Sequence, residues 1–294
     1  MAVFDCTMFF NENDLFEIRL NQHWDFVDRF IVVEAGETHT GLKKPFNFDH
    51  ERFRPWASKI EYRTFDSFEE TMRAHPELTD SNSFADRGSN KNSMDWARDG
   101  FQGNYAYKVL AELGAEDEDI ILASCCDETI KQSAFDVCCD KIKHNPELDP
   151  IFMFRLQLYA YKFNALWKPW QQADTTGLLL SYKTAKKRLI ATVREHRACT
   201  DIIDNAGWHF CSMDNGDGDM ILQKFRAWGH SRDIVAGQKQ KFESQTKEEA
   251  MAIFLEDVKF NKIVEINYEN HPAYIVDHQE KFKDYILPVF DLDQ

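Results

Sequence analysis

Asp127 and Glu128 close the run from Asp119 to Glu128, in which four apolar residues and a serine give way to two thiols and two carboxylates. Four to eight apolar residues bounded by acidic loop signals read as a buried parallel strand, and open α/β sheets bind ligands beyond the carboxyl ends of such strands. The two carboxylates are therefore candidates for a divalent metal or phosphate site. The same acids also suit the first turn of a helix beginning near Thr129, because negative charge is favoured at helix N-termini. On the strand alone both readings stand.

The elements around this run must position it. Val3 to Phe10 is β-rich, Asn11-Glu12-Asn13-Asp14 is a helix start, and Leu15, Ile18 and Leu20 continue an amphipathic helix. Arg29 to Ala35 reads as a second strand with Glu34 at its end, which makes the opening a parallel βαβ unit. Ile60 to Phe65 is a third strand, and the polar segment Ser67 to Asn92 reads as a loop or lid. A helix from Met94 to Leu113 stops at Gly114 and leads into the Asp119 strand. After a helix from about Thr129 to Ile142, the aromatic segment Pro150 to Trp167 supplies one or two strands. Leu178 to Tyr182 and Trp208 to Cys211 are further strands, while Asp217 to Trp228 and Lys247 to Phe254 read as helices. No repeat, low-complexity tract or linker interrupts the chain. One α/β domain over residues 1–240 is expected, with a helical C-terminal extension, 241–294, packed on it.

Composition narrows the function classes. The 294 residues are 43% hydrophobic with 24 Phe, ample for a core, and the net charge of −15 argues against a broad nucleic-acid or anionic-membrane surface. Seven cysteines without Cys-x-x-Cys spacing read as reduced thiols. Phe9-Phe10-Asn11-Glu12 occupies the turn where a dinucleotide-binding G-x-G-x-x-G would be required, and neither a P-loop nor a G-x-S-x-G elbow occurs. An α/β sheet with acids at a strand end remains. It suits an enzyme that handles a nucleotide diphosphate through Mn²⁺ or Mg²⁺, since these ions prefer carboxylate oxygens and bridge phosphates. Sugar-nucleotide transfer is the leading reading.

Several blocks in order carry a more specific resemblance. They are Phe4 to Glu12 with Glu17-Ile18-Arg19-Leu20, Ile31-Val32-Val33-Glu34 with Thr38-His39-Thr40-Gly41, and Arg98-Asp99-Gly100-Phe101-Gln102. The Ile120 to Glu128 strand, Gly207-Trp208-His209-Phe210 and His271-Pro272-Ala273-Tyr274-Ile275 follow. Through these the chain resembles glycosyltransferase family 17, the family of the bisecting N-acetylglucosaminyltransferase, nearly end to end. The resemblance implies a GT-A-like fold, a UDP-sugar donor, UDP-GlcNAc by preference, a glycan or glycoprotein acceptor, and inversion at the anomeric carbon. It implies an Asp-x-Asp metal and donor position that here reads Cys125-Cys126-Asp127, so Asp127 is the expected direct ligand and Cys125 stands in place of the first acid.

The same resemblance makes Phe10, Asn11, Glu12, Glu34, Arg98, Gln102 and Cys125 the expected donor-site residues. Arg98 would pair with the diphosphate, while Gly103 stands where relatives often carry another Arg. His230 is the expected late metal ligand and His209 an acceptor-wall or core residue. A general base is needed for inversion, with Glu128, Asp214 and Asp217 as candidates. In the aromatic run, Tyr159, Tyr161 and Phe163 read as core, whereas Trp167 and Trp170 are expected to stack on acceptor sugar rings. The N-terminus lacks signal-peptide regions and no long apolar run follows, so the chain is expected to be cytoplasmic and unanchored, of bacterial or viral origin. Two alternatives stay open: an impaired nucleotide-sugar or glycan-binding protein of the same fold, and a sugar-nucleotide hydrolase.

Overall fold

The computed structural model describes residues 1–79, 93–144, 149–167, 174–195, 198–229, 246–258 and 261–288. The chain opens with β1 (Val3–Phe9), α1 (Asn13–His23), β2 (Arg29–Ala35) and β3 (Ile60–Phe65), the parallel unit that its apolar runs and acidic helix start dictate. Next come α2 (Phe68–Ala74), α3 (Ser93–Glu112), β4 (Ile120–Ala123), β5 (Glu128–Ile130) and α4 (Gln132–His144). β6 (Phe152–Ala160), β7 (Ala165–Trp167), β8 (Asp174–Ser181), α5 (Tyr182–Ala185), α6 (Ile190–Glu195), β9 (Asp201–Cys211) and α7 (Asp219–Ala227) follow. The described chain closes with α8 (Lys247–Val258), β10 (Asn261–Ile263) and α9 (Ala273–Asp277).

The main sheet runs β3-β2-β1-β4-β8-β6 and continues through β9, which pairs parallel with β6. Only β8 runs against the rest of that series, since it pairs antiparallel with both β4 and β6. Alternate residues of each central strand feed opposite faces, as the pleat requires. Val32 and Leu122 pack with Phe16, Leu20 and Phe135 on the α1 and α4 side. Ile31, Val33 and Ile121 pack with Phe101, Val109 and Leu110 of α3 on the other. This two-sided burial explains the near-continuous apolar runs.

Three expectations are corrected. Part of the expected loop is helical, because Phe68 of α2 is buried against Phe65 and Phe101, and Glu37 accepts from the Phe68 amide at its start. The helix expected from Thr129 begins at Gln132, since Glu128, Thr129 and Ile130 pair antiparallel with His209, Trp208 and Gly207. Gly207 is required at this crossing, where a Cβ would lie 2.1 Å from the Thr129 carbonyl oxygen. The C-terminal segment is not wholly helical: β10 adds to the edge of β7, while α8 packs on α7.

Candidate functional site

Residues at the carboxyl ends of β1 and β4 line a cavity of about 480 Å³, within the usual range for a small-molecule site. α1 fixes its floor. Arg19, wholly buried, donates from Nε to Asp5 (2.9 Å), from Nη2 to the Asp5 carboxylate and Ser124 Oγ (2.7 Å), and from Nη1 to the carbonyls of Cys125 (2.9 Å) and Glu128. His23 Nε2 accepts from the Ile130 amide (3.0 Å), so Nδ1 carries the proton and donates to Asp5 (2.8 Å). Burial works against the Asp5 carboxylate, but Arg19 and His23 outweigh it and hold the carboxyl below its ordinary range. The acidic turn after β4 is thus clamped from beneath.

On that floor stand two clusters. In the first, Cys125 N donates to Glu128 Oε2 (3.0 Å) and Thr176 Oγ1 to Glu128 Oε1 (2.7 Å). Arg194 of α6 donates to Cys125 Sγ (2.8 Å), to Glu128 and to Thr176 Oγ1 (2.9 Å). Burial, against the pull of Arg194, pushes the Cys125 thiol up to about 12. In the second, Lys224 of α7 donates to Asp127 Oδ2 at 3.1 Å, and His209 Nε2 lies 3.7 Å from the same oxygen. Burial opposes the Asp127 charge, yet Lys224 and His209 keep the carboxyl well below the usual range. Cys211 is half-buried beside them, and although desolvation works the other way, Lys224 and His209 bring its thiol down to about 7.

The placement of the expected residues divides. Phe10, Glu12, Gln102, Cys125, Asp127, Glu128 and His209 line the cavity. Glu34 is turned into the protein, where its carboxylate accepts from Lys44 Nζ (2.5 Å), the Asn47 amide (2.7 Å), the Phe48 amide (3.2 Å) and Tyr62 Oη (2.8 Å). It organises the loop after β2 rather than the cavity surface. Arg98 holds the His39 carbonyl (3.0 Å) and pairs with buried Asp95, and Asn11 donates to Gln223 on the surface. Asp214 is consumed by the amides of Gly216 (2.7 Å), Gly218 (3.2 Å) and Ile221 (3.2 Å), and exposed Asp217 accepts from the Asp219 amide (2.8 Å). Both acids shape the entry to α7. Trp167 packs against the cluster of Ala160, Tyr161, Ile221 and Phe225, with its Nε1 buried and, among the described residues, without a hydrogen-bond partner. His230 and Trp170 lie outside the described residues.

Sequence reasoning missed Arg194 and Lys224, and quoted His39 and Asp99 without assigning them a role. All four line the cavity. The ordered blocks around His39 and Asp99 were the available signal for two of them, whereas Arg194 and Lys224 sit on helices with no motif.

Sγ of Cys125 and carboxylate oxygens of Asp127 and Glu128 lie within 4.8 Å of one another, close enough to share a metal ion. Their chemistry does not fit a hard one. The Cys125 thiol is protonated and soft, Arg194 already occupies Cys125 and Glu128, and Lys224 occupies Asp127.

The class that follows is an α/β protein with a mostly parallel sheet and a charged cavity at its strand ends. The chain belongs to glycosyltransferase family 17, whose profile matches residues 1–289. No curated protein matches the sequence. Among solved structures it is similar to a 4-diphosphocytidyl-2C-methyl-D-erythritol synthase, at 12% identity over 70% of this chain and 89% of that one, TM-score 0.39. It is also similar to mouse xyloside xylosyltransferase 1 in its apo form, at 8% identity over 98% of this chain and 94% of that one, TM-score 0.34. Neither likeness is close enough to bear on activity. Among the described residues no helix is long and apolar enough to cross a membrane.

Proposed function

We propose that this glycosyltransferase moves N-acetylglucosamine from UDP-GlcNAc to a glycan or glycoprotein, with inversion at the anomeric carbon. The observation that carries this reading is the convergence of Asp127, His209, Lys224 and Arg194 in one cavity at the strand ends of a family 17 chain. The acceptor hydroxyl oxygen attacks the anomeric carbon from the face opposite the diphosphate. One C–O bond forms, the bond to phosphate breaks, and UDP departs with the bonding pair. Lys224 and Arg194 are the cations placed to meet charge building on the leaving diphosphate. Lys224 already pairs with Asp127, the one hard oxygen ligand expected for the Mn²⁺ or Mg²⁺ that the family resemblance implies.

UDP-GlcNAc titrated by calorimetry, with UDP release measured on mannose-containing glycans, tests the reading. Saturable donor binding with glycan-dependent UDP release is expected. Binding without release on any glycan points to the impaired binding protein, and release that ignores the glycan points to a hydrolase. Absence of donor binding overturns the proposal.

A further inference from the structure

The turn after β4 brings three ligand atoms together, yet side chains of the protein already pair with each of the three residues that supply them. Cys125 Sγ accepts from Arg194 Nη1 (2.8 Å), and sulfur is in any case a soft partner for a hard ion. Both oxygens of Glu128 are committed, Oε2 to the Cys125 amide (3.0 Å) and Oε1 to Thr176 Oγ1 (2.7 Å) and Arg194 Nη2. Asp127 Oδ2 accepts from Lys224 Nζ (3.1 Å), so an ion bound through the other oxygen would sit a carboxylate's width from an ammonium of like charge.

Exposure orders these groups. In one pair the Arg194 side chain is 29% exposed and that of Glu128 1%; in the other, Lys224 is 20% exposed and Asp127 8%. A ligand entering the cavity therefore meets guanidinium and ammonium, with the two carboxylates beneath them. Arg194 reaches the turn from α6 beside Thr176 of β8, whose Oγ1 accepts from the same Nη2 (2.9 Å). Lys224 reaches it from α7 beside His209 of β9, whose Nε2 lies 3.7 Å from Asp127 Oδ2.

The charge balance is that of a metal site. One divalent ion on two carboxylates brings two positive charges to the turn, and Arg194 and Lys224 bring the same two. Their donors also suit the ligand: guanidinium matches phosphate oxygens in pairs, and ammonium is a compact point charge. On the transfer reading above, we propose that the donor is held without a divalent ion, Arg194 and Lys224 together taking the place on the turn that a metal would occupy. The diphosphate then lies against two fixed cations, which also face the further negative charge that UDP gains as its bond to the sugar breaks.

The test compares the wild-type chain, dialysed against EDTA, in EDTA and in millimolar Mn²⁺, with UDP-GlcNAc titrated by calorimetry in each. The two donor Kd values should agree within about threefold, and glycan-dependent UDP release should be equally insensitive to EDTA. Mn²⁺ titrated alone, with the free ion followed by electron paramagnetic resonance, should show no saturable binding. Arg194→Met should raise the donor Kd in EDTA by at least about tenfold, the loss of a charged hydrogen bond to phosphate, and Arg194→Lys by less. Tightening of the wild-type Kd by Mn²⁺ beyond about threefold, saturable binding of Mn²⁺ alone, or UDP release abolished by EDTA overturns the proposal. So does an unchanged Kd in an Arg194→Met protein shown to be folded, and the wild-type arms decide the matter even where that variant does not fold. A wild type that binds UDP-GlcNAc in neither buffer and releases no UDP overturns the transfer reading instead.

Discussion

Arg19 and His23 show how much of the site is held by groups that never reach the cavity. Arg19 neutralises Asp5 and at the same time ties the backbone of the acidic turn to α1. Removing one partner of a buried ion pair leaves the other charge unpaired, so Arg19→Met should cost about 3–5 kcal/mol, read from urea unfolding. His23 adds a pH dependence of definite sign. Burial first, against the pull of Asp5, lowers its pKa, so the folded chain refuses a proton that the unfolded chain accepts. That contribution to stability is present above the ordinary His value of about 6.5 and is lost as pH falls below it. Asp5, lowered in the fold, adds a further loss only below about pH 3.9. His271, also lowered by burial, acts in the same window as His23. Thermal midpoints should therefore drop between pH 7.5 and 5.5, and His23→Gln, which can donate to Asp5 and accept from Ile130 without titrating, should flatten part of that slope. An unchanged slope in the variant would count against this role.

At the scale of elements, the strands were legible and the convergence of their neighbours was not. β2 lies where its apolar run places it, because a strand buried on both faces cannot hide its composition, whereas β3, half-buried at the end of the strand order, is set by pairing with β2. β5 was misread as the start of a helix because its three residues are set by pairing with β9, and Glu128 suits a helix N-terminus equally well on local grounds. The strand-end acids Asp127 and Glu128 were visible for the same reason as the strands. Their cations were not: Lys224 meets Asp127 across 97 residues and Arg194 meets Glu128 across 66. Neither helix position carries a local signal for such a contact. α7 can be tested directly. Burial works against the charge of Lys224, but Asp127, Cys211 and Glu12 outweigh it and keep the amine protonated. A charged hydrogen bond to phosphate is worth about 1.5–3 kcal/mol, so Lys224→Met should raise the Kd for UDP-GlcNAc by at least about tenfold. An unchanged Kd would remove Lys224 from the diphosphate site.

For the whole molecule, the cavity depends on chain that never touches it. The segment after β10 packs back on α1, where Ile275, Phe282 and Tyr285 share a buried cluster with Leu15 and Ile18 and with Phe163 and Phe210. Polar contacts register that docking. Tyr285 Oη donates to Asp14 (2.7 Å), Trp208 Nε1 to the Asn270 carbonyl (2.6 Å), and Lys162 Nζ to the Asp284 carbonyl (2.7 Å). α1 is therefore gripped by this segment through Leu15 and Ile18, while its Arg19 ties the helix to the acidic turn. Phe282 is fully buried against Phe163 and Tyr274. Phe282→Ala should cost about 3–5 kcal/mol through lost burial and the cavity left behind, measured as a shift in the urea midpoint. Because the cavity walls themselves are untouched, the folded variant should bind UDP-GlcNAc with a Kd within about twofold of wild type at low temperature. A loss of donor affinity larger than that, in a variant shown to be folded, would mean that the grip on α1 sets the geometry of the acidic turn as well as the stability of the fold.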